Sequence, residues 1–174
     1  MARPGYNEIR NLGTFANQNR WMITFAKFPN VGDYPDSEDV NFRCTTSSVP
    51  KITEKAGIEV DIRGMHVGQP GTYDFDHELT LTLVETEDSV IHSLIKSWRD
   101  ACYDYETGKQ NKKEDIEAIL ILSRLDVQDN PIWQYKLLGV YLKDYDPGSM
   151  ANEPDKIELS LTLWYDKFTD GKSV

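Results

Sequence analysis

The sequence predicts a mainly β protein, an antiparallel sandwich or barrel of about seven strands with one flanking α-helix. Three observations carry that expectation. Several short runs alternate apolar and polar residues with a period of two, as in Leu79, Leu81 and Leu83 against Thr80 and Thr82. One stretch alone, Val90 to Cys102, spaces its apolar residues three and four apart. Glycine and proline cluster mostly between these runs.

Residues 1–18 hold Pro4, Gly5 and Gly13 without sustained periodicity and read as an extended N-terminal arm suited to contact. Trp21, Ile23 and Phe25 alternate with Met22, Thr24 and Ala26, which makes 19–27 a strand. Pro29, Gly32 and Pro35, with Asp33, Asp36, Glu38 and Asp39, make 28–39 a turn-rich segment. Asn41 to Thr45 reads as a short strand that Pro50 interrupts. Ile58, Val60 and Ile62 then alternate with Glu59, Asp61 and Arg63, so the aliphatic set is expected to face the core. Gly64, Gly68, Pro70 and Gly71 imply a long loop from 64 to 75, followed by the strand of Leu79, Leu81 and Leu83.

The helix comes next, with Glu87, Asp88 and Ser89 suiting its N-terminal turn. Asp104 to Asp115 reads as a solvated loop with a mixed charge cluster. Two strands, Ala118 to Leu125 and Ile132 to Leu142, are joined by the turn Val127 to Pro131. After a loop from Lys143 to Lys156, the alternation of Ile157 to Tyr165 ends the sheet. At 174 residues the whole chain, 1–174, is expected to form one domain.

Lysine and arginine number 19 against 29 aspartates and glutamates, a formal charge of −10 that opposes binding to phosphate backbones. Solubility alone would also explain that balance. No window approaches the roughly 18 apolar residues of a membrane span, and the first residues do not resemble a signal peptide. A cytosol-like compartment without membrane contact is therefore expected. Cys44 and Cys102 fall in different elements and read as free thiols.

Reactive constellations are missing from the pattern. His66, His77 and His92 lie in separate elements without metal-ligand spacing. His77 is flanked by Asp74, Asp76 and Glu78, but successive strand residues point to opposite faces, which weakens an acid/base pairing. Asp33 to Asp39 lacks the ligand order and central glycine of a calcium loop. Phosphate loops, nucleophile elbows and basic patches interleaved with aromatics do not occur. No catalytic residue, cofactor or metal is expected, and the chain reads as a non-enzyme. A seven-stranded monomer would instead leave strand edges open, which ring closure could pair.

Arg20 to Phe25, Phe42 to Pro50, Thr72 to Leu83, the helix from Ile91 to Tyr103, Leu137 to Leu142 and Ile157 to Asp166 follow one another in an order worth comparing. Across about residues 19 to 168, that order resembles the tail tube proteins of contractile-tailed bacteriophages, a pattern that tubes of related contractile injection systems share. The resemblance implies hexameric rings whose sheets join into one continuous inner β-barrel, with the helix outside, stacked into a tube. It also implies sheath, baseplate or initiator, and terminator proteins as partners, a place in the virion tail after assembly in the host cytoplasm, and DNA passing through without specific binding. On this reading Glu59, Asp61 and Arg63 are candidates for the lumen or an interface. Ile9, Phe15, Met65, Val67 and Tyr73 are candidates for ring-to-ring contacts. Two alternatives stay open: a tube or tube initiator of an injection or secretion particle, and a monomeric β-sandwich module binding through Asp33 to Asp39 or its tyrosine-rich loops.

Overall fold

The computed structural model describes residues 16–150, 152 and 155–173. Its axis is one long strand, β9 (Pro131–Asp146). Along one edge of β9 run β10 (Glu158–Trp164), paired with Tyr141 to Asp146, and β11 (Lys167–Lys172), paired with Trp133 to Leu138. On the opposite edge of its first half lies β8 (Ala118–Leu125), which in turn carries β1 (Trp21–Lys27). Beyond β10 come β7 (Glu78–Val84) and β2 (Cys44–Ser47), completing a seven-stranded antiparallel sheet. The expected strand count holds for this sheet, and four further strands form two separate ribbons.

The sheet turns over on itself midway along β9. Gly139 sits there with φ +67°, and the β8–β9 register slips between Ala118 and Leu120, close to the bend. A Cβ at this position would run into the Asp166 side chain, so the bend needs glycine for both conformation and space.

The fold-over produces the core. Leu79, Leu81 and Leu83 lie opposite Leu163, Leu161 and Leu159, and all six are buried. Each removes a large aliphatic side chain from water, about 1.5–3 kcal/mol apiece. Ile23, Phe25, Leu120, Leu122, Leu137 and Val140 contribute from the other half of the sheet. The helix α2 (Val90–Cys102) closes this layer with Ile91, Leu94, Ile95, Trp98 and Ala101, as its spacing requires. Trp98 is fully buried, meets Phe25 edge-on at 6.1 Å, and donates its indole N–H to the Ile116 carbonyl at 3.0 Å.

Several sequence expectations are corrected. Residues 41–43 are helical, the end of α1 (Ser37–Arg43), and the strand starts only at Cys44. The helix exists to cover an edge: Ser37 and Asn41, one turn apart, accept hydrogen bonds from the Phe25 and Ile23 amides at 2.7 and 2.8 Å. Those amides point away from β8 and would otherwise be open to a foreign strand. The predicted 143–156 loop begins later, because β9 continues to Asp146 in register with Ser160. Nor does the sheet end at Tyr165, since β11 extends the same edge. A further short helix, α3 (Lys113–Ile116), overlaps the end of the expected 104–115 loop and presents the Ile116 carbonyl to Trp98. Among the described residues no strand pairs with the outer edges of β2 and β11.

The start of α2 is capped from outside its first turn. Ser89 occupies the N-cap in a left-handed conformation, φ 56°, and makes no side-chain cap. Glu85 does so instead, accepting from the amides of Ile91 and His92 at 3.3 and 2.8 Å and lying 2.6 Å from His92 Nδ1. Burial pushes the Glu85 carboxyl up, but these bonds outweigh it and hold the group below the usual carboxylate range. A lowered folded value stabilises the protein above the unfolded pKa of about 4.3, and that contribution is lost as pH falls through the folded value. Glu85→Gln is therefore expected to lower stability at pH 7 by about 1–2 kcal/mol. It should also flatten the acid limb of a plot of urea midpoint against pH relative to the parent protein.

Candidate assembly surface

Residues 52–75 form an antiparallel arm outside the main sheet. Its root pairs β3 (Ile52–Lys55) with β6 (Thr72–Phe75), and its stem pairs β4 (Ile58–Ile62) with β5 (Met65–Gln69). The predicted loop from 64 to 75 is thus replaced by two strands. Arg63 and Gly64 both have positive φ, 53° and 79°, which gives a two-residue primed turn that matches strand twist. The breakers beyond it do not stop pairing: Gly68 lies opposite Glu59, and the Gly71 amide donates to Glu54 Oε1 at 2.6 Å.

The root is tied to the body. Phe75 stacks against Tyr165 at 5.9 Å, meets Phe168 edge-on at 5.5 Å, and lies 4.3 Å from the His77 ring. The Asp76 amide donates to the Lys51 carbonyl at 3.3 Å, and the Tyr165 hydroxyl donates to Asp76 at 2.6 Å. Burial, reinforced by that carboxylate, drives the Tyr165 pKa upward, so the phenol remains a donor at any physiological pH. Lys55 and Asp74 form an ion pair across the arm, and the lysine hydrogen bond is the main cause of the lowered Asp74 pKa.

The stem has no such support. Ile58, Val60, Ile62, Met65 and Val67 are all exposed, Met65 at 72% and even Val60 at 44%. The expectation that Ile58, Val60 and Ile62 face the core is therefore overturned. Alternation demands one apolar face, and here no layer built from the described residues of the same subunit lies above it. The register aligns Val60 with Val67 and Ile62 with Met65, so the aliphatics form a continuous ladder. Glu59 and Asp61 share the opposite face with His66, whose ring nitrogens lie 3.5 Å from Glu59 and 2.9 Å from Asp61. Arg63 is in the turn, and Tyr73 is exposed on the root. Ile9 and Phe15 lie outside the described residues, as does nearly all of the expected 1–18 arm.

A second surface is the sheet face turned away from the leucine core. Thr80 pairs with Thr162, Thr82 with both Ser160 and Thr46, and Asp144 and Asp146 extend these rows. Lys143 pairs with Glu78 and lies 5.3 Å above the Trp164 ring, which also stacks on His77. Hydroxyls and small charges at this density make a wetted wall, and sequence reasoning treated these residues only as the polar half of an alternation.

Other candidate chemistry is used structurally. Cys44 is pushed up to about 12 by burial, and burial also raises the Cys102 thiol, so both free thiols stay protonated at neutral pH. Ser37, within the Asp33 to Asp39 segment, caps β1. Among the described residues, no group of three or more histidine, cysteine or acidic side chains is placed to hold a metal. Nor is any helix there long and apolar enough to cross a membrane.

No family model matches the chain, and no curated protein does. Solved structures do. A chain in the tube-terminating cap of the anti-feeding prophage superposes with a TM-score of 0.61 at 15% identity, covering 92% of this chain and 93% of that one. One in the extended sheath–tube complex of the PVC extracellular contractile injection system gives 0.57 at 15%, covering 98% and 100%. The SPP1 tail tube gives 0.55 at 12%, covering 92% and 81%. At such identities the likeness concerns architecture alone, and the chain has the fold seen in a phage tail tube and in the tube-bearing assemblies of contractile injection particles.

Proposed function

We propose that this chain is a structural tube subunit, copies of which join into hexameric rings that stack into a hollow tube. The observation that carries the reading is the 52–75 arm, whose apolar face is covered by none of the described residues of its own subunit. The open edges of β2 and β11 offer lateral pairing between subunits, which would merge their sheets into one barrel wall. The hydroxyl-rich sheet face then lines the bore, and the acidic balance of the chain keeps a phosphate backbone from adhering to it.

In this arrangement the arm places Glu59, Asp61, Arg63, Met65, Val67 and Tyr73 at contacts between subunits, which favours the interface role for the charged trio. The tube conducts DNA in a phage tail, inside a contractile sheath, and assembles in the host cytoplasm with baseplate and terminator proteins. A second reading, a tube of an extracellular injection particle, is favoured by the likeness to the anti-feeding prophage and PVC assemblies. Neither reading involves a catalytic step.

Negative-stain electron microscopy of the purified protein, with mass measurement across a concentration series, tests the proposal. Rings or tubes of uniform bore are expected. A protein that remains monomeric at all concentrations and never enters a particle would remove it. The contents of isolated particles, DNA or protein cargo, separate the two readings.

A further inference from the structure

Beside β2 the main sheet leaves part of its core open. Between β2 and the β1–β8 pair lies a half-open cleft of about 480 Å³. Its floor includes Trp21, Leu122 and Tyr135, and its wall is the Thr45 to Val49 segment, whose β2 edge is unpaired. Trp21, Leu122 and Tyr135 belong to the buried layer or pack against it, so the cleft is the hydrophobic core reaching the surface. Among the described residues the lining carries Arg124 and Arg20, the latter paired with Asp129 at 2.9 Å, and no carboxylate.

The arm has the complementary character. One face of its stem is the Val60–Val67 and Ile62–Met65 ladder, and the other carries Glu59 and Asp61. The two-residue turn makes the tip only two strands wide. None of residues 56–75 lines the cleft of the same subunit. Arm and cleft are thus two surfaces that the described residues of one chain leave unpartnered, the geometry of a head-to-tail contact that repeats from copy to copy.

We infer that the cleft between β2 and the β1–β8 pair is the seat for the arm tip of a second copy. The Ile62–Met65 end of the ladder enters over Trp21, Leu122 and Tyr135, and Glu59 and Asp61 meet Arg124 at the rim. Apolar contact supplies most of the affinity, while the charges fix which way the arm lies. The inference rests on the tube reading and names the contact that links one subunit to the next.

The test mixes two singly substituted proteins, Met65→Cys and Thr46→Cys, each in a Cys44→Ala, Cys102→Ala background and carrying different mass tags. After assembly and mild oxidation, a mixed disulfide dimer is expected at more than ten times the yield from a control pair, Met65→Cys with Ser93→Cys. In otherwise unaltered protein, Arg124→Glu should abolish tubes, and adding Asp61→Lys should restore them. Tubes that form without the Met65–Thr46 cross-link, and that tolerate Arg124→Glu, would overturn the seat and leave the tube reading standing. A cross-link from Thr46→Cys to Phe15→Cys in its place would give the cleft to the N-terminal segment and also overturn the inference. Failure of the unsubstituted protein to assemble at all would remove both.

Discussion

Replacing Trp98 by alanine is expected to lower the melting temperature by about 10 °C. The side chain is fully buried between α2 and the sheet, so truncation leaves a cavity whose cost for a large aromatic is about 3–5 kcal/mol. It also strips the Ile116 carbonyl of its donor. For a chain of this length each kcal/mol moves the midpoint by about 2–4 °C. Trp98→Phe separates the two effects, because it keeps most of the volume and loses only the indole N–H. That variant should cost about 1–2 kcal/mol. Calorimetric midpoints of the three proteins decide the matter. A loss in Trp98→Ala no greater than in Trp98→Phe would show that the helix does not depend on this side chain for its anchorage.

The opposite pattern is expected when the arm stem is removed. Lys55 and Thr72 face each other across the root, so residues 56–71 can be exchanged for an Asn-Gly turn without disturbing the pairing below. No stem side chain belongs to the core, and the melting temperature should stay within about 3 °C of the parent. Assembly into rings or tubes should be lost completely, as read by sedimentation and electron microscopy. A shortened protein that still forms tubes of normal bore would show that the exposed ladder serves some other contact. The pairing of these two variants matters: one should unfold readily yet keep its assembly surface, and the other should fold well yet lack the contact on which ring and tube formation depends.

How legible this was in the sequence depended on whether a residue's environment lay within its own subunit. The leucine strands and the helix were readable because a period of two or of 3.6 is the direct imprint of burial on one side. The same rule misassigned Ile58, Val60 and Ile62, since alternation reports that one face is apolar and does not say whose surface covers it. Arg63-Gly64 was hidden as a turn because three further breakers followed it, and only the pairing of Gly68 with Glu59 and of Thr72 with Lys55 shows that strand continues on both sides of Pro70-Gly71. Residues 41–43 were read as extended because the role of α1 lies in two side chains, Ser37 and Asn41, that reach backbone amides of a strand distant in sequence. Glu85 escaped notice as a helix cap for a similar reason: it precedes the helix by several residues, and the chain must curl back to bring it there. The cleft beside β2 left no sequence signal, because it exists only where two strands far apart in the chain fail to meet.

The helical cover over β1 sets the valence of the subunit. With the amides of Ile23 and Phe25 already occupied, the strand edges of the main sheet left without a strand partner among the described residues are the outer sides of β2 and β11 and the Tyr141–Asp146 stretch of β9 opposite β10. These edges differ in sequence and in length, so a third copy finds no equivalent place to add and branching is suppressed. A particle built from such units grows along one path or closes, and it does not thicken into the laterally spreading sheets that unprotected β edges produce. Stripping the cover, rather than weakening the core, is the change that would turn an orderly polymer into an aggregate.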